Sequence, residues 1–145
     1  MHKEFKNKKI LITGGTGTFG RAFLKYLQNL KFNKPKKIVI YARDEHKFND
    51  MINANLIKKN IRLFIGDVRD EKRLELATNE IDIVVHAAAL KHVIFAEYNP
   101  MEAISTNIFG SNNLINACIK NKVKRYYYSS SACVYNGTKQ SATFF

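Results

Sequence analysis

Five short apolar runs alternate with four amphipathic helical runs along this chain, and that alternation restricts the fold more than any other feature. The apolar runs are KILIT (9–13), KIVIYA (37–42), IRLFI (61–65), IDIVVHAA (81–88) and KRYYYSS (124–130). Each is the length of a buried strand. Between them, 18–30 repeats apolar residues at helical spacing (Phe19, Ala22, Phe23, Tyr26, Leu27, Leu30), and 46–59 does so through Phe48, Met51, Ile52, Leu56 and Ile57. A short helix is expected over 71–78, and the longest over 102–120, with Pro100 near its start. Strands separated by helices pair in parallel, with helices on both faces of the sheet. Right-handed crossovers then leave few topologies. The expectation is an α/β, doubly wound parallel sheet of about five strands in the order 3-2-1-4-5. No repeat or linker divides the 145 residues, so 1–145 reads as one domain.

The first strand runs into TGGTGTFG. Gly14, Gly17 and Gly20 form G-x-x-G-x-x-G between a strand and a helix. The first glycine permits the tight turn, Gly17 lets a pyrophosphate approach the backbone, and Gly20 lets the helix pack on the strand. The helix N-terminus then offers free N–H groups to the phosphates. This is the dinucleotide-binding, Rossmann-type arrangement. The second strand ends Tyr41-Ala42-Arg43-Asp44-Glu45, with Ala42 where an acidic residue would hold the ribose of NAD and Arg43 next to it. That favours NADP, and NAD is the alternative, with Asp44 holding the ribose. Asp67, in Gly66-Asp67-Val68, is placed to bond the adenine amine or to cap a helix. The small residues Ala87 and Ala88 after His86 leave room for a cofactor against the backbone. His86 and His92 have no companions at metal-ligand spacing, so no metal is expected.

Composition narrows the partners. The 24 Lys and Arg against 12 Asp and Glu give a formal net charge of +12. The lysines read as scattered and gathered at element ends, with no basic helix and no interleaved aromatics, so no nucleic-acid partner is expected. A positive field would also suit phosphate-bearing small ligands. No apolar run approaches the ~20 residues of a membrane span, and the charged N-terminus lacks the apolar core of a signal peptide. The chain therefore reads as cytoplasmic, with no membrane partner. Two cysteines make no disulfide framework, and Cys118 lies in a helical pattern as a core residue.

TGGTGTFG, YARDE, GDVRD and HAAALKHV, in this order and spacing, resemble the extended short-chain dehydrogenase/reductases that act on nucleotide sugars. ALKHVIFAEYNPMEAISTN (89–107) is similar to the branch containing UDP-N-acetylglucosamine 4,6-dehydratases and related polysaccharide-biosynthesis epimerases. The resemblance implies a bound NADP(H) that takes a hydride from sugar C4 and later returns it. It implies that Thr16, Thr18 and Phe19 line the phosphates, Arg43 and Asp44 meet the adenosine ribose, and Asp67 and Val68 meet the adenine. Ala87 and Lys91 would lie beside the nicotinamide half or the substrate, with a nucleotide sugar as partner.

The catalytic part of that pattern breaks down near the end of the sequence. The chemistry needs a Tyr and a Lys on one helix face, which i,i+4 spacing provides, with a Ser or Thr from the fifth strand orienting the same oxygen. Tyr135 and Lys139 have the spacing, but they follow Ser131 too closely and span Asn136-Gly137, a turn signal. They are read as a look-alike. At the dehydratase spacing from Ser131 stand Ser141 and Phe145, and Ala132-Cys133 replaces the dehydratase Asp-Lys pair. RYYYSSSACVYN is instead similar to the fifth strand of GDP-mannose 3,5-epimerases, which implies an acid/base role for Cys133. The chain thus reads as a cofactor half, truncated before the substrate domain and inactive alone. The alternatives are a non-catalytic NADP-binding module, or half of a split enzyme completed by a C-terminal chain. A tyrosine-rich fifth strand at the sheet edge predicts self-association, including a homo-oligomer.

Overall fold

The computed structural model describes residues 3–130. Ser131, Cys133, Tyr135 and Lys139 lie outside the described residues. Strands β1 (Lys9–Thr13), β2 (Lys37–Ala42), β3 (Ile61–Ile65), β4 (Ile83–His86) and β5 (Arg125–Tyr128) form one sheet in the order β3-β2-β1-β4-β5, with every pairing parallel. This is the expected order. The register sets Ile12 between Ile40 and Val85, so alternate residues of each central strand face opposite layers.

Those two layers are the two cores. Ile10, Ile12, Ile38, Ile40, Ile83 and Val85 pack beneath helices α1 (Thr18–Asn29) and α2 (Glu45–Asn53). Leu11, Val39, Tyr41 and Val84 pack beneath α3 (Glu71–Thr78) and α6 (Gly110–Lys120), where Leu74, Leu114 and Cys118 close the layer. Each central strand is apolar on both sides because both sides are covered. Burial pushes the Cys118 thiol up to about 11, so it serves as an unreactive core residue. On the outer strand β5, Tyr127 and Tyr128 are exposed.

Several elements depart from the sequence expectation, four of them with a structural consequence. Helix α2 ends at Asn53, short of residue 59. Asn55 turns left-handed (φ 52), and Leu56 N–H bonds Met51 O, which closes the helix with a six-residue cap. Strand β4 is confined to Ile83–His86, and Asp82, just before it, accepts the backbone N–H of Lys9 on its carboxylate. Helix α4 (Val93–Tyr98) was not expected. The long helix begins earlier, as α5 (Pro100–Ile104), and passes through a π turn at Ser105–Phe109 before α6. A 3.6-residue period cannot register that inserted residue.

Candidate functional site

In this order successive strands are added outward from β1 first on one side and then, from β4, on the other, and the loops after β1 and β4 diverge to opposite faces. Ligands of open α/β sheets bind in the crevice this creates. A cleft of about 470 Å³ lies there. The glycine loop forms one wall, and the residues after β4 form the other.

Gly14 takes φ +65, and a Cβ there would stand 2.6 Å from the Ala87 carbonyl oxygen. Only glycine meets both conditions. Gly20 presses its helix onto Gly15, whose Cα a Cβ at position 20 would overlap. Gly15, which the sequence reading did not single out, lies against Ile40. The helices differ at their starts. Asp44 caps α2 by accepting from His46 N–H and Lys47 N–H, and Asp70 caps α3 through Arg73 N–H. Gly17, at the head of α1, offers no side-chain cap. Among the described residues no side chain caps the first-turn amides of α1, which leaves them available to an anion.

Of the residues expected to meet a cofactor, Gly14, Thr16, Gly17, Arg43, Asp44, Val68, Ala87, Ala88 and Lys91 line this cleft. Thr18, Phe19, Gly20 and Asp67 do not line it. Phe19 stacks on Phe23 with ring centroids 5.9 Å apart, on the outer side of α1. The Asp67 carboxylate is turned toward Arg69, whose guanidinium donates to it at 2.7 Å, and Arg43 lies 3.5 Å away. Arg69 hydrogen bonds hold that carboxyl below its usual range against the opposing effect of burial. The Asp67 main-chain oxygen accepts from the buried Tyr41 hydroxyl at 2.7 Å. Among the described residues no cluster of His, Cys, Asp or Glu could hold a metal ion.

Among the lining residues that escaped the sequence reading are Tyr41, Lys47 and Thr106. Tyr41 reads as a strand residue, but Gly66 passes so close to its ring that no Cβ would fit there. Lys47 sits at the start of α2, beside the cleft. Thr106 lies in the π turn, lines the cleft, and is 4% exposed with its hydroxyl unpartnered among the described residues. A buried hydroxyl without a partner is uncommon and marks a place where a ligand atom or water would bond.

Beneath the cleft runs a polar relay. Thr13 Oγ1 lies 2.6 Å from His86 Nδ1, and His86 Nε2 lies 3.0 Å from Ser111 Oγ. Ser111 Oγ donates at 2.6 Å to the Asn107 carbonyl. A carbonyl can only accept, so Ser111 spends its proton there and Nε2 must donate to it. Burial lowers the His86 pKa to about 4, so the ring is a neutral imidazole near pH 7. With its proton on Nε2, Nδ1 accepts from Thr13. The Asn107 side chain accepts from Leu90 N–H at 2.8 Å and donates to Leu90 O at 2.9 Å. This clip fixes the loop that carries Lys91 to the π turn of the long helix.

The fold and cleft together define a Rossmann-type α/β protein with a ligand crevice at the switch point of its sheet. Residues 10–138 match the family described as "Polysaccharide biosynthesis protein", and the chain belongs to that family of extended short-chain dehydrogenase/reductases, the nucleotide-sugar epimerases and dehydratases. It is 54% identical over 122 residues to the UDP-N-acetylglucosamine 4,6-dehydratase (inverting) of Campylobacter jejuni subsp. jejuni serotype O:23/36, covering 83% of this chain and 35% of that protein. The X-ray structure of Pen from Bacillus thuringiensis superposes with TM-score 0.79 at 46% identity, covering 87% of this chain and 38% of that one. The UDP-glucose 4-epimerase of Bifidobacterium longum, solved with NAD+ and UDP, superposes with TM-score 0.75 at 28% identity, covering 91% and 39%. The chain thus spans little more than a third of the length of these relatives. The likeness of its end to GDP-mannose 3,5-epimerases finds no support in these comparisons and rests on the short 125–136 segment alone.

Proposed function

We propose that this chain is the cofactor-binding part of a nucleotide-sugar 4,6-dehydratase or epimerase of surface-polysaccharide biosynthesis, and that its cleft holds NADP, with NAD as the alternative. The observation that carries this reading is the uncapped start of α1, set at a glycine loop that opens into the cleft, while α2 and α3 keep aspartate caps. In this reading the pyrophosphate lies over 14–18. Arg43, 56% exposed and only 3.5 Å from Asp67, swings to a 2′-phosphate, and Asp44 remains the helix cap. Val68 flanks the adenine. The nicotinamide half lies along Ala87, Ala88 and Lys91, near the Thr106 hydroxyl, which has no partner among the described residues.

When bound, the nicotinamide supplies the hydride acceptor for a sugar carbon. The chain's own part is to orient the cofactor through its glycine backbone, Arg43 and the Asn107-held loop. Hydride exchange further requires a Tyr–Lys pair on one helix face. In this reading Tyr135 and Lys139 are a look-alike and do not serve as that pair. Ser131 and Cys133 stay candidates for contact with a nucleotide sugar in a longer or complemented protein. A cytoplasmic location and self-association belong to the same reading. Titration with NADPH and NADH, followed by cofactor fluorescence, tests it. Saturable binding of both is expected, tighter for NADPH, without turnover of a nucleotide sugar. Arg43→Ala should weaken NADPH by about tenfold and leave NADH nearly unchanged. Equal losses would remove the NADP assignment, and absence of saturable binding for either cofactor would remove the reading.

A further inference from the structure

The lysines that read as scattered in the sequence are gathered by the fold at one end of the molecule. All five strands are parallel, so all five begin at the end opposite the cleft. The segments 3–9, 31–37, 58–62, 80–82 and 120–125 lead into those strand starts, and they hold fifteen Lys and Arg against three Asp and Glu. The rest of the chain holds nine of each sign. The whole net charge of +12 therefore comes from one face. The segments are bonded edge to edge: Lys36 N–H to Lys8 O, Asn7 N–H to Lys34 O, Asp82 N–H to Lys9 O and Lys124 N–H to Asp82 O. The surface is continuous, and Lys9, Lys36, Lys37, Lys59 and Arg62 surround a hollow of about 290 Å³ within it.

Folding does not account for this charge. Lysines in the last turn of a helix offset its dipole, but among the α-helices that end on this face only α6 has one there, Lys120. Acidic partners occupy Lys8, Lys9, Lys120, Lys124 and Arg125. The nine other lysines, among them Lys34, Lys36, Lys58 and Lys59, form no ion pair among the described residues. Such a field repels itself and draws an anionic partner.

The kind of partner follows from the side chains. The cations are thirteen lysines and two arginines, which are point charges more than planar forks for reading bases or phosphopeptides. Single-stranded nucleic acid needs several aromatic platforms. Of the aromatics in these segments Phe5 is buried, and Phe32 stands 80% exposed between Lys31 and Lys34. A lone exposed phenylalanine in a lysine field suits a headgroup layer, which it enters while the lysines remain at the phosphates.

We propose that the lysine-rich amino end of the sheet, with Phe32 exposed among its lysines, is a docking surface for an anionic lipid bilayer, leaving the cleft at the far end open to solvent. No helix among the described residues could cross a membrane. The contact is therefore peripheral, and it revises the expectation that a membrane is no partner. The test is co-sedimentation of the full chain with phosphatidylcholine vesicles containing about one-third phosphatidylglycerol, set against pure phosphatidylcholine. Binding is expected to the anionic vesicles alone, and to fall by more than half when salt rises from about 0.1 M to about 0.5 M. Lys58→Glu with Lys59→Glu should lower the bound fraction at least about tenfold. Lys25→Glu with Lys72→Glu, exposed and outside this face, changes the net charge equally and should cost less than about twofold. Phe32→Ser should weaken binding without altering its salt dependence. Circular dichroism confirms that each variant is folded. Equal losses from the two charge-reversed pairs, equal binding to neutral vesicles, or displacement of the vesicles by single-stranded DNA at matched phosphate would each overturn the proposal.

Discussion

At the carboxyl ends of β1 and β3 this chain turns on glycine, and at the amino ends of the strands it turns on residues with side chains. Gly14, Gly15, Gly17, Gly20 and Gly66 all belong to the cleft end. The five returns into the strands each place one non-glycine residue in the left-handed region: Asn7, Asn33, Asn55, Glu80 and Lys122. The cleft end needs backbone in close contact with backbone, at Gly14 against Ala87 and at Gly20 against Gly15, which no Cβ allows. The opposite end needs only a change of direction. Asparagine tolerates that conformation, and its neighbours are free to be lysines. One end is shaped for close approach, and the chain outside the lysine-rich face carries equal numbers of each sign. The other is loosely constrained and carries all the net charge.

The comparison can be broken most sharply at Gly20. Valine there would drive its Cβ into the carbonyl carbon and oxygen of Gly15, each 2.6 Å from the ideal Cβ position, and backbone cannot move aside as a side-chain tip can. Gly20→Val should cost about 3 kcal/mol, read from the urea midpoint.

Acid should separate the two ends by pH window. His86 has a folded pKa lowered to about 4, against an unfolded value near 6.5. Its contribution is complete above pH ~6.5 and is lost as pH falls to ~4, because the unfolded chain takes up the proton first. The loss is about 3 kcal/mol, and His86→Gln should flatten stability over that window. At the opposite end, the Lys9 backbone N–H and then the nearby lysines hold the Asp82 carboxyl low. Its contribution is present above pH ~4 and fades only as pH falls further. Asp82→Ala should cost about 1–2 kcal/mol, since it leaves the Lys9 N–H without its partner.

Asn107→Ala should cost about 1–2 kcal/mol by freeing both polar groups of Leu90. If the loop orients a dinucleotide, this variant should also weaken cofactor binding severalfold in the same titration. The smallest effect is expected at Lys122, exposed with φ 54. Lys122→Gly relieves a left-handed lysine but loosens the unfolded chain, for a net gain of about 0.5 kcal/mol. A loss in thermal unfolding would show that this end is more tightly specified than its turns suggest.

Much of the sheet was legible because strand and helix periods are local properties. KILIT, KIVIYA and IRLFI give β1, β2 and β3 without adjustment. Boundaries set by single residues were harder to read, as at Asn55, which ends α2 by turning left-handed. The π turn at Ser105–Phe109 coincides with the Asn107 clip to Leu90, a partner seventeen residues away, so no local pattern could announce it. Phe19 followed the helical period yet stacks on Phe23 outside the cleft, because a motif gives spacing and not the direction of a side chain.

The sequence by itself determined the alternating architecture, the strand order and the glycine loop, since periodicity and backbone freedom are written residue by residue. Tertiary structure alone decided which residues share a surface. It turned Asp67 toward Arg69, buried His86 in a relay between two strands and a helix, and left the Thr106 hydroxyl beside the cleft with no partner among the described residues. It also gathered lysines from five separate segments onto one face. Those relations join positions far apart along the chain, and parallel strand pairing is what brings them together.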